Sequence, residues 1–175
     1  MLKKIAIGLI VIVAAILGYA ATLPDTFTVV RSATINAPPK KITPLLADFH
    51  RWNSWSPWEK LDPAMKKTHS GPASGKGAAY AWDGNSKAGA GRMEIVEASA
   101  SHVTIKLDFL RPFESNNVTE FSLKPNGKAT DVTWTMRGPN MYVGKVMSIF
   151  VNMDKMIGKD FEAGLATLKS VAEKS

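Results

Sequence analysis

Hydrophobic residues recur at steps of three and four over residues 140–172, which is the pattern of an α-helix with one apolar face. This face consists of Val146, Phe150, Met153, Ile157, Phe161, Gly164, Leu168 and Val171. Because so long an apolar face is not stable in water, the sequence predicts one long C-terminal helix packed on a larger layer. Gly164 lies on the apolar face and has no Cβ, so it predicts a close approach by another part of the chain.

Seven stretches before this helix alternate between apolar and polar residues, as β-strands with one buried face do. The predicted strands are residues 26–35, 65–70, 78–83, 92–98, 102–109, 116–124 and 129–137. Two short helices are predicted after the first strand, one within residues 40–49 and one that begins at Pro57, where Ser56 and Glu59 form a capping-box pattern. The pattern predicts an α+β fold, in which a curved, seven-stranded antiparallel sheet wraps around one long C-terminal helix.

The N-terminal segment 1–23 differs from the rest of the chain. Lys3 and Lys4 precede the uncharged run 5–23, which is long enough to cross a hydrocarbon core of about 30 Å. Because lysines before a span stay in the cytoplasm, we expect a single-pass protein of a bacterial inner membrane, with the domain 26–173 on the extracytoplasmic side. A cleavable signal peptide is the alternative, since Gly18 and Ala20 are small residues at suitable positions, and the domain would then be secreted.

Composition excludes several classes of function. The net charge of +7 falls to +5 without the two N-terminal lysines, and the remaining basic residues are scattered, so nucleic acid is not an expected partner. The absence of cysteine excludes disulfides and thiolate metal sites. His50, His69 and His102 are far apart in sequence and share no ligand spacing, so we predict neither a metal site nor a cofactor. The sequence carries no signal for an oligomeric state.

Three stretches carry a resemblance to a known family: residues 52–58 (WNSWSPW) with the following Asp62 and Pro63, residues 80–85 (YAWDGN), and residues 158–169. Together with the order of the elements, they resemble the SRPBCC superfamily of helix-grip proteins, which have the START and Bet v 1-like fold. The polyketide cyclase/dehydrase-like bacterial branch is the most similar part of this superfamily. The resemblance implies a deep hydrophobic cavity that holds lipids, hormones, polyketides or other apolar molecules, and it implies no particular reaction.

The side chains that face inward by strand and helix periodicity are the predicted wall of the cavity. They are Tyr80, Trp82, Met93, Ile95, Phe109, Asn117, Phe121, Trp134, Phe150, Met153 and Ile157. Asn117 is positioned to bind a polar group of the ligand, and the methionines at the start of the long helix suit a wall of adaptable shape. Ordinary core packing is the alternative interpretation of the aromatic residues.

Three tryptophans, Trp52, Trp55 and Trp58, recur at every third residue. They predict either a gate at the mouth of the cavity or a plug that fills one end of the sheet.

Acid–base catalysis requires carboxylates inside the cavity. Strand parity places most strand carboxylates outside: Glu94, Asp108, Glu120 and Asp131. Only Glu97 shares the parity of Met93 and Ile95, and a β-bulge near Gly89 or Gly91 would change this assignment.

The sequence favours a membrane-tethered domain that binds a hydrophobic small molecule or lipid between sheet and helix, without catalysis. One alternative is a cyclase- or dehydratase-like enzyme acting on a polyketide-like or other apolar substrate, and a buried ionisable residue in the cavity would favour it. The other alternative is a protein-interaction module with a filled core, which a cavity below about 300 Å³ would favour.

Overall fold

The structure is a computed structural model that describes residues 1–174. Its elements in chain order are α1 (Leu2–Ala21), β1 (Thr26–Ile35), α2 (Pro39–Leu46), two 3₁₀ turns (Phe49–Ser54 and Pro57–Lys60), β2 (Lys66–Ser70), β3 (Ala79–Asp83), β4 (Ala90–Ala98), β5 (His102–Arg111), β6 (Ser115–Asn126), β7 (Ala129–Pro139), α3 (Tyr142–Phe150) and α4 (Met153–Lys174).

The seven strands form one antiparallel sheet in the order β1–β7–β6–β5–β4–β3–β2. Strands β2 to β7 follow one another along the chain, and β1 pairs with β7 over its whole length, from Thr26 opposite Pro139 to Ile35 opposite Thr130. α4 packs on the apolar face of the sheet and lies mainly along β1. The predicted α+β fold with a long C-terminal helix is therefore confirmed.

Gly164 is a point of close approach between α4 and its neighbours. A Cβ on this residue would lie 2.9 Å from the ring of Trp134 and 3.2 Å from the side chain of Pro57. These separations are shorter than ordinary carbon–carbon contacts, so a larger residue would move the helix away from the sheet. The prediction of a close approach at Gly164 is confirmed.

The prediction of a single helix over residues 140–172 is wrong, because the structure has two separate helices there, α3 and α4. Val151 has extended backbone angles, and the side-chain oxygen of Asn152 accepts a hydrogen bond from the backbone N–H of Lys155 at 2.9 Å. Asn152 thus caps the start of α4. The hydrophobic spacing continues across this break, since each of the two helices has its own apolar face, and it therefore does not reveal the break.

α3 packs against α1 instead of covering the cavity. The Tyr142 hydroxyl donates to the backbone oxygen of Leu17 at 2.7 Å, and the buried Lys145 ammonium donates to the Asp25 carboxylate at 2.5 Å. The hydrogen bond and the charge of Lys145 lower the pKa of Asp25. The methionine-rich half of the predicted helix is therefore not a cavity wall, except for Met153 at the start of α4.

The short segments after β1 differ from the prediction in their details. α2 begins at Pro39 and contains Pro44, whereas a 3₁₀ turn not predicted from the sequence follows at Phe49–Ser54. Ser56 makes no side-chain capping bond, so the predicted capping box does not form. Its segment is a single 3₁₀ turn, in which the hydrogen-bonding positions of a capping box in an α-helix are not reproduced.

Trp52 and Trp55 fill the end of the sheet nearest to α2. Both are buried, and their indole N–H groups donate to the backbone oxygens of Leu46 at 3.1 Å and Leu45 at 2.9 Å. These carbonyls belong to the last turn of α2, where no helical N–H is available to them. The two tryptophans therefore act as the predicted plug and also terminate α2. Trp58, the third tryptophan of the repeat, is only half-buried.

Candidate functional site

A cavity of about 330 Å³ lies between the sheet and the first turns of α4. Its volume is within the range of small-molecule sites, about 300–1,000 Å³. Eight of the eleven residues predicted for its wall line it: Tyr80, Trp82, Met93, Phe109, Asn117, Trp134, Met153 and Ile157. They come from five strands and from α4, so the sheet and the helix form the wall together.

Three predicted wall residues lie elsewhere. Ile95 and Phe121 are completely buried in the filled part of the core, where Phe121 packs edge-on against Trp52 and Trp55. Strand parity identifies the inner face of the sheet, but it does not show how far along a strand the filled part extends. Phe150 is 70% exposed, because it ends α3, which turns toward α1.

The segment between α2 and β2 contributes wall residues outside the predicted set, including two of the three tryptophans for which the sequence predicted a gate or a plug. They are Trp52, Ser56, Trp58, Glu59, Leu61 and Met65. Most of this segment lies in irregular turns, in which side chains follow neither strand nor α-helix periodicity. The density of tryptophan in residues 52–58 was the available signal, and it indicated a place near the cavity without indicating which side chains face it.

Stacked aromatic rings stiffen the wall on the side of α4. Trp134 lies parallel to Phe161 with ring centroids 4.0 Å apart, and Trp58 meets Trp134 edge-on at 5.5 Å. Such pairs contribute about 0.5–1.5 kcal/mol each beyond the burial of their area. The indole N–H of Trp134 is buried and has no hydrogen-bond partner among the described residues.

The ring of Trp82 packs against the backbone at Gly91, which fixes its position in the cavity wall. A Cβ at Gly91 would lie 2.4 Å from the Trp82 ring and 2.6 Å from the backbone oxygen of Asp108, so only glycine fits there. The Trp82 indole N–H donates to the backbone oxygen of Ala88 at 3.1 Å, which fixes the other edge of the ring. The position of this ring therefore depends on the strand pair β3–β4.

Asn117 is a buried amide in the wall, as its parity predicted. Its NH₂ group makes only long contacts, at 3.4 Å to the backbone oxygen of Ser115 and 3.5 Å to that of Leu107. A Cβ at Gly138 would lie 1.8 Å from its side-chain oxygen, so glycine in β7 makes room for the amide. Because such long hydrogen bonds are weak, the amide retains capacity for another partner.

Glu59 is a buried carboxylate of the cavity, with a side chain only 7% exposed. One carboxylate oxygen accepts a hydrogen bond from the Tyr80 hydroxyl at 3.0 Å, and the other accepts one from the Lys67 ammonium. Lys67 also donates to the side-chain oxygen of Asn53 at 2.9 Å. Burial, together with the negative charge of Glu59, raises the pKa of Tyr80, so the phenol remains protonated at neutral pH.

Two histidines that are distant in sequence stack beside this group. The rings of His50 and His69 are 4.1 Å apart at 16°, and β2–β3 pairing places His69 opposite Tyr80. Burial, followed by the charge of His50, lowers the pKa of His69. Within residues 1–174 no group of three or more His, Asp or Glu side chains is arranged to hold a metal ion.

Glu97, the carboxylate assigned to the inner face by parity, is exposed. The register of β4 against β5 shifts between Ile95 and Glu97, in addition to a shift at Ala90 and Gly91. A shift of one residue moves the following side chain to the other face, so the assignment of Glu97 is wrong.

Comparisons with known proteins agree on the fold. Over residues 26–173 the chain matches the family described as polyketide cyclase / dehydrase and lipid transport. A search of curated protein sequences finds no match.

Solved structures with the same fold include a protein of Thermobifida fusca, at 19% identity and a TM-score of 0.62, with 84% of this chain and 93% of that chain covered. The di-domain ARO/CYC BexL from the BE-7585A biosynthetic pathway has 15% identity and a TM-score of 0.63, with 90% and 53% covered. Ara h 8.0201 has 11% identity and a TM-score of 0.53, with 85% and 96% covered. At these identities the similarity concerns the fold.

Proposed function

Because this chain belongs to the polyketide cyclase / dehydrase and lipid transport family, we propose that it is a membrane-tethered domain that binds a hydrophobic small molecule or lipid in the cavity between its sheet and α4. The single observation that carries the proposal is the cavity itself, which has a volume of about 330 Å³ and a wall made mostly of aromatic and aliphatic side chains. A protein-interaction module with a filled core would not need such a space.

The tether is proposed from α1 and its contacts. Within the described chain, α1 is the one helix long and apolar enough to cross a membrane. A signal sequence has the same properties, but the contacts between α1 and α3 favour retention of the helix. Met147 and Phe150 of α3 are already 45% and 70% exposed with α1 in place, and cleavage would uncover more of this apolar surface. A bilayer next to α1 would cover it.

Filling the cavity tests the proposed binding. Met153→Trp places a larger side chain in the wall of the cavity, where free space tolerates added volume, whereas Met156→Trp places the same ring on an exposed position of the same helix. We expect Met153→Trp to reduce the recovery of apolar molecules that co-purify with the full chain, measured by mass spectrometry, while the melting temperature stays within a few degrees.

Met156→Trp should change neither quantity. If Met153→Trp lowers the melting temperature as overpacking of a core does, at a cost of about 1–3 kcal/mol, and the wild type yields no apolar molecule, the proposed binding function is wrong.

Glu59 specifically favours a second candidate function, a cyclase-like enzyme, because it is an ionisable group buried in the cavity. The two partners of its carboxylate argue against a role as a free base. If the protein were an enzyme, an active form and an inactive variant would retain different molecules, because only the active form converts the precursor. Recovery of the same molecule from the wild type and from Glu59→Gln supports binding alone, whereas recovery of a precursor from Glu59→Gln supports catalysis.

A further inference from the structure

The charged residues described in the lining of the cavity are all acidic. The lining includes two carboxylates, Glu59 and Asp160, and among the described lining residues there is no lysine, arginine or histidine. Asp160 is exposed, whereas Glu59 is buried. A carboxylate, phosphate or sulfonate group inside this cavity would meet another carboxylate and find no cation in the wall. Burial of an unpaired charge is costly, so the cavity disfavours anionic molecules.

A cationic group is disfavoured for a different reason. The charge of Glu59 is already balanced by Lys67, whose ammonium binds the carboxylate directly. A second cation would share one carboxylate with Lys67 and would be repelled by it. The buried end of the cavity is therefore electrically neutral as a unit, and a neutral ligand group fits it best.

At the buried end of the cavity, oxygen atoms of Tyr80 and Glu59 can accept further hydrogen bonds that no donor among the described residues supplies. The Tyr80 hydroxyl uses its only proton in the bond to Glu59 and keeps a lone pair on its oxygen, and each carboxylate oxygen can accept a second hydrogen bond. A ligand group must therefore donate a hydrogen bond here. Among neutral groups an alcohol or phenol hydroxyl does so, whereas a ketone or ester only accepts.

We propose that the cavity selects neutral apolar molecules bearing a hydroxyl group, with Glu59 and Tyr80 as the acceptors of the hydroxyl proton. This inference rests on the proposed binding function and adds to it the chemical class of the ligand. It also gives the Lys67–Glu59 pair a role, because Lys67 neutralises Glu59 and so prevents the carboxylate from attracting cations.

Photo-crosslinking of the full chain in phosphatidylcholine vesicles tests this selection. Three probes with the same alkyl chain and the same diazirine position are compared at neutral pH: a long-chain alcohol, its methyl ether, which accepts but cannot donate a hydrogen bond, and the corresponding alkyl sulfonate, which is fully ionised. Peptide mass spectrometry gives the labelling of cavity peptides, such as the one that contains Tyr80 and Trp82. This value is divided by the labelling of α1, which corrects for probe concentration in the bilayer.

In the wild type we expect the corrected labelling to be about tenfold higher for the alcohol than for the sulfonate, because the sulfonate would be buried without a cation in the wall. We expect it to be severalfold higher for the alcohol than for the methyl ether, which cannot donate to Glu59 or Tyr80. Glu59→Gln leaves Lys67 without its carboxylate, so labelling by the sulfonate should rise and the ratio of alcohol to sulfonate labelling should fall severalfold. Glu94→Gln is the matched control, since it removes an exposed carboxylate of the sheet that does not line the cavity, and it should leave the ratio unchanged.

The outcomes separate this inference from the proposed function. Equal labelling of cavity peptides by the alcohol and the methyl ether overturns the selection of hydroxyl groups while binding stands. Equal labelling by the alcohol and the sulfonate, or preference for the sulfonate, overturns the exclusion of anions. Absence of cavity labelling by all the probes overturns the proposed binding function, and the inference with it. If Glu59→Gln does not fold, as judged by circular dichroism, the wild-type ratios alone decide.

Discussion

The guanidinium of Arg31 occupies the space next to Gly158, where a Cβ would lie 1.9 Å from its terminal nitrogen Nη2. Arg31 projects from β1 toward α4 and donates to Asp154 at 2.9 Å and to Glu162 at 2.7 Å, one turn on each side of the glycine. These hydrogen bonds raise the pKa of Arg31 and lower that of Asp154. Arg31 thus holds the first turns of α4 against β1 at the edge of the sheet. These turns contain the cavity residues Met153 and Ile157.

The effect of Gly158→Ala on stability is predicted to change sign with the residue at position 31. In the wild type the added methyl group displaces the guanidinium from its partners, so the variant should be less stable. In an Arg31→Ala background the guanidinium no longer opposes the better helix propensity of alanine, and Gly158→Ala should stabilise by about 1 kcal/mol. Thermal unfolding of the four proteins measures both effects. A stabilising effect in both backgrounds would show that Arg31 is not held at this position.

Two tryptophan substitutions of equal size are predicted to differ in cost. Trp55→Phe removes the indole donor and leaves the buried backbone oxygen of Leu45 unpaired, which adds about 1–3 kcal/mol to the cost of the lost volume. Trp134→Phe loses similar volume but no hydrogen bond, since its indole N–H has no partner among the described residues. Unfolding of both variants, followed by circular dichroism, should therefore show the larger loss for Trp55→Phe. Equal losses contradict the role of Trp55 in terminating α2.

The stability of the domain is predicted to decrease as the pH falls below about 6.5, in part because of His69. The pKa of this residue is lower in the folded protein than its ordinary value of 6.5, so on acidification the unfolded chain binds the proton first. The contribution is complete above pH 6.5 and is lost as the pH falls through the lower pKa of the folded state.

A titration of the His69 ring by NMR should give a midpoint below 6.5, and His50→Ala should raise this midpoint because a neighbouring positive charge is removed. A midpoint at or above 6.5 in the wild type contradicts the prediction. His69→Gln should reduce the loss of stability on acidification.

The orientation of the domain is predicted from Lys3, Lys4 and α1. A reporter enzyme fused to the C-terminus should be active on the extracytoplasmic side, and the full chain should remain with the membrane after carbonate extraction. Deletion of residues 2–21 should leave the same reporter in the cytoplasm. A soluble product whose N-terminus lies after Ala20 would show instead that the segment is a cleaved signal peptide.

Local periodicity in the sequence was sufficient to predict the sheet, because each strand alternates toward one shared core and a one-residue error would expose a whole apolar face. The same reasoning placed Tyr80, Trp82 and Asn117 in the wall of the cavity. It failed for Glu97, because the register shift beside it has no signature in the residue types.

Contacts between distant segments could not be predicted from the sequence. The stacking of His50 on His69 and the bond of Glu59 to Tyr80 depend on how the irregular segment after α2 folds back on β2 and β3. Glu59 was noticed only as part of a capping box that does not form. The division between α3 and α4 was missed because Asn152 reads as one polar residue within a continuous hydrophobic spacing.

Only residues 22–25 separate α1 from β1, and these four residues span at most about 14 Å when fully extended. Even that length is not free, since Asn140 donates to the backbone oxygens of Asp25 at 2.7 Å and Pro24 at 3.1 Å. If α1 stays in a bilayer, as proposed, this short connection keeps the domain next to that membrane. Uptake and release of a bound molecule would then both take place at the membrane that holds α1.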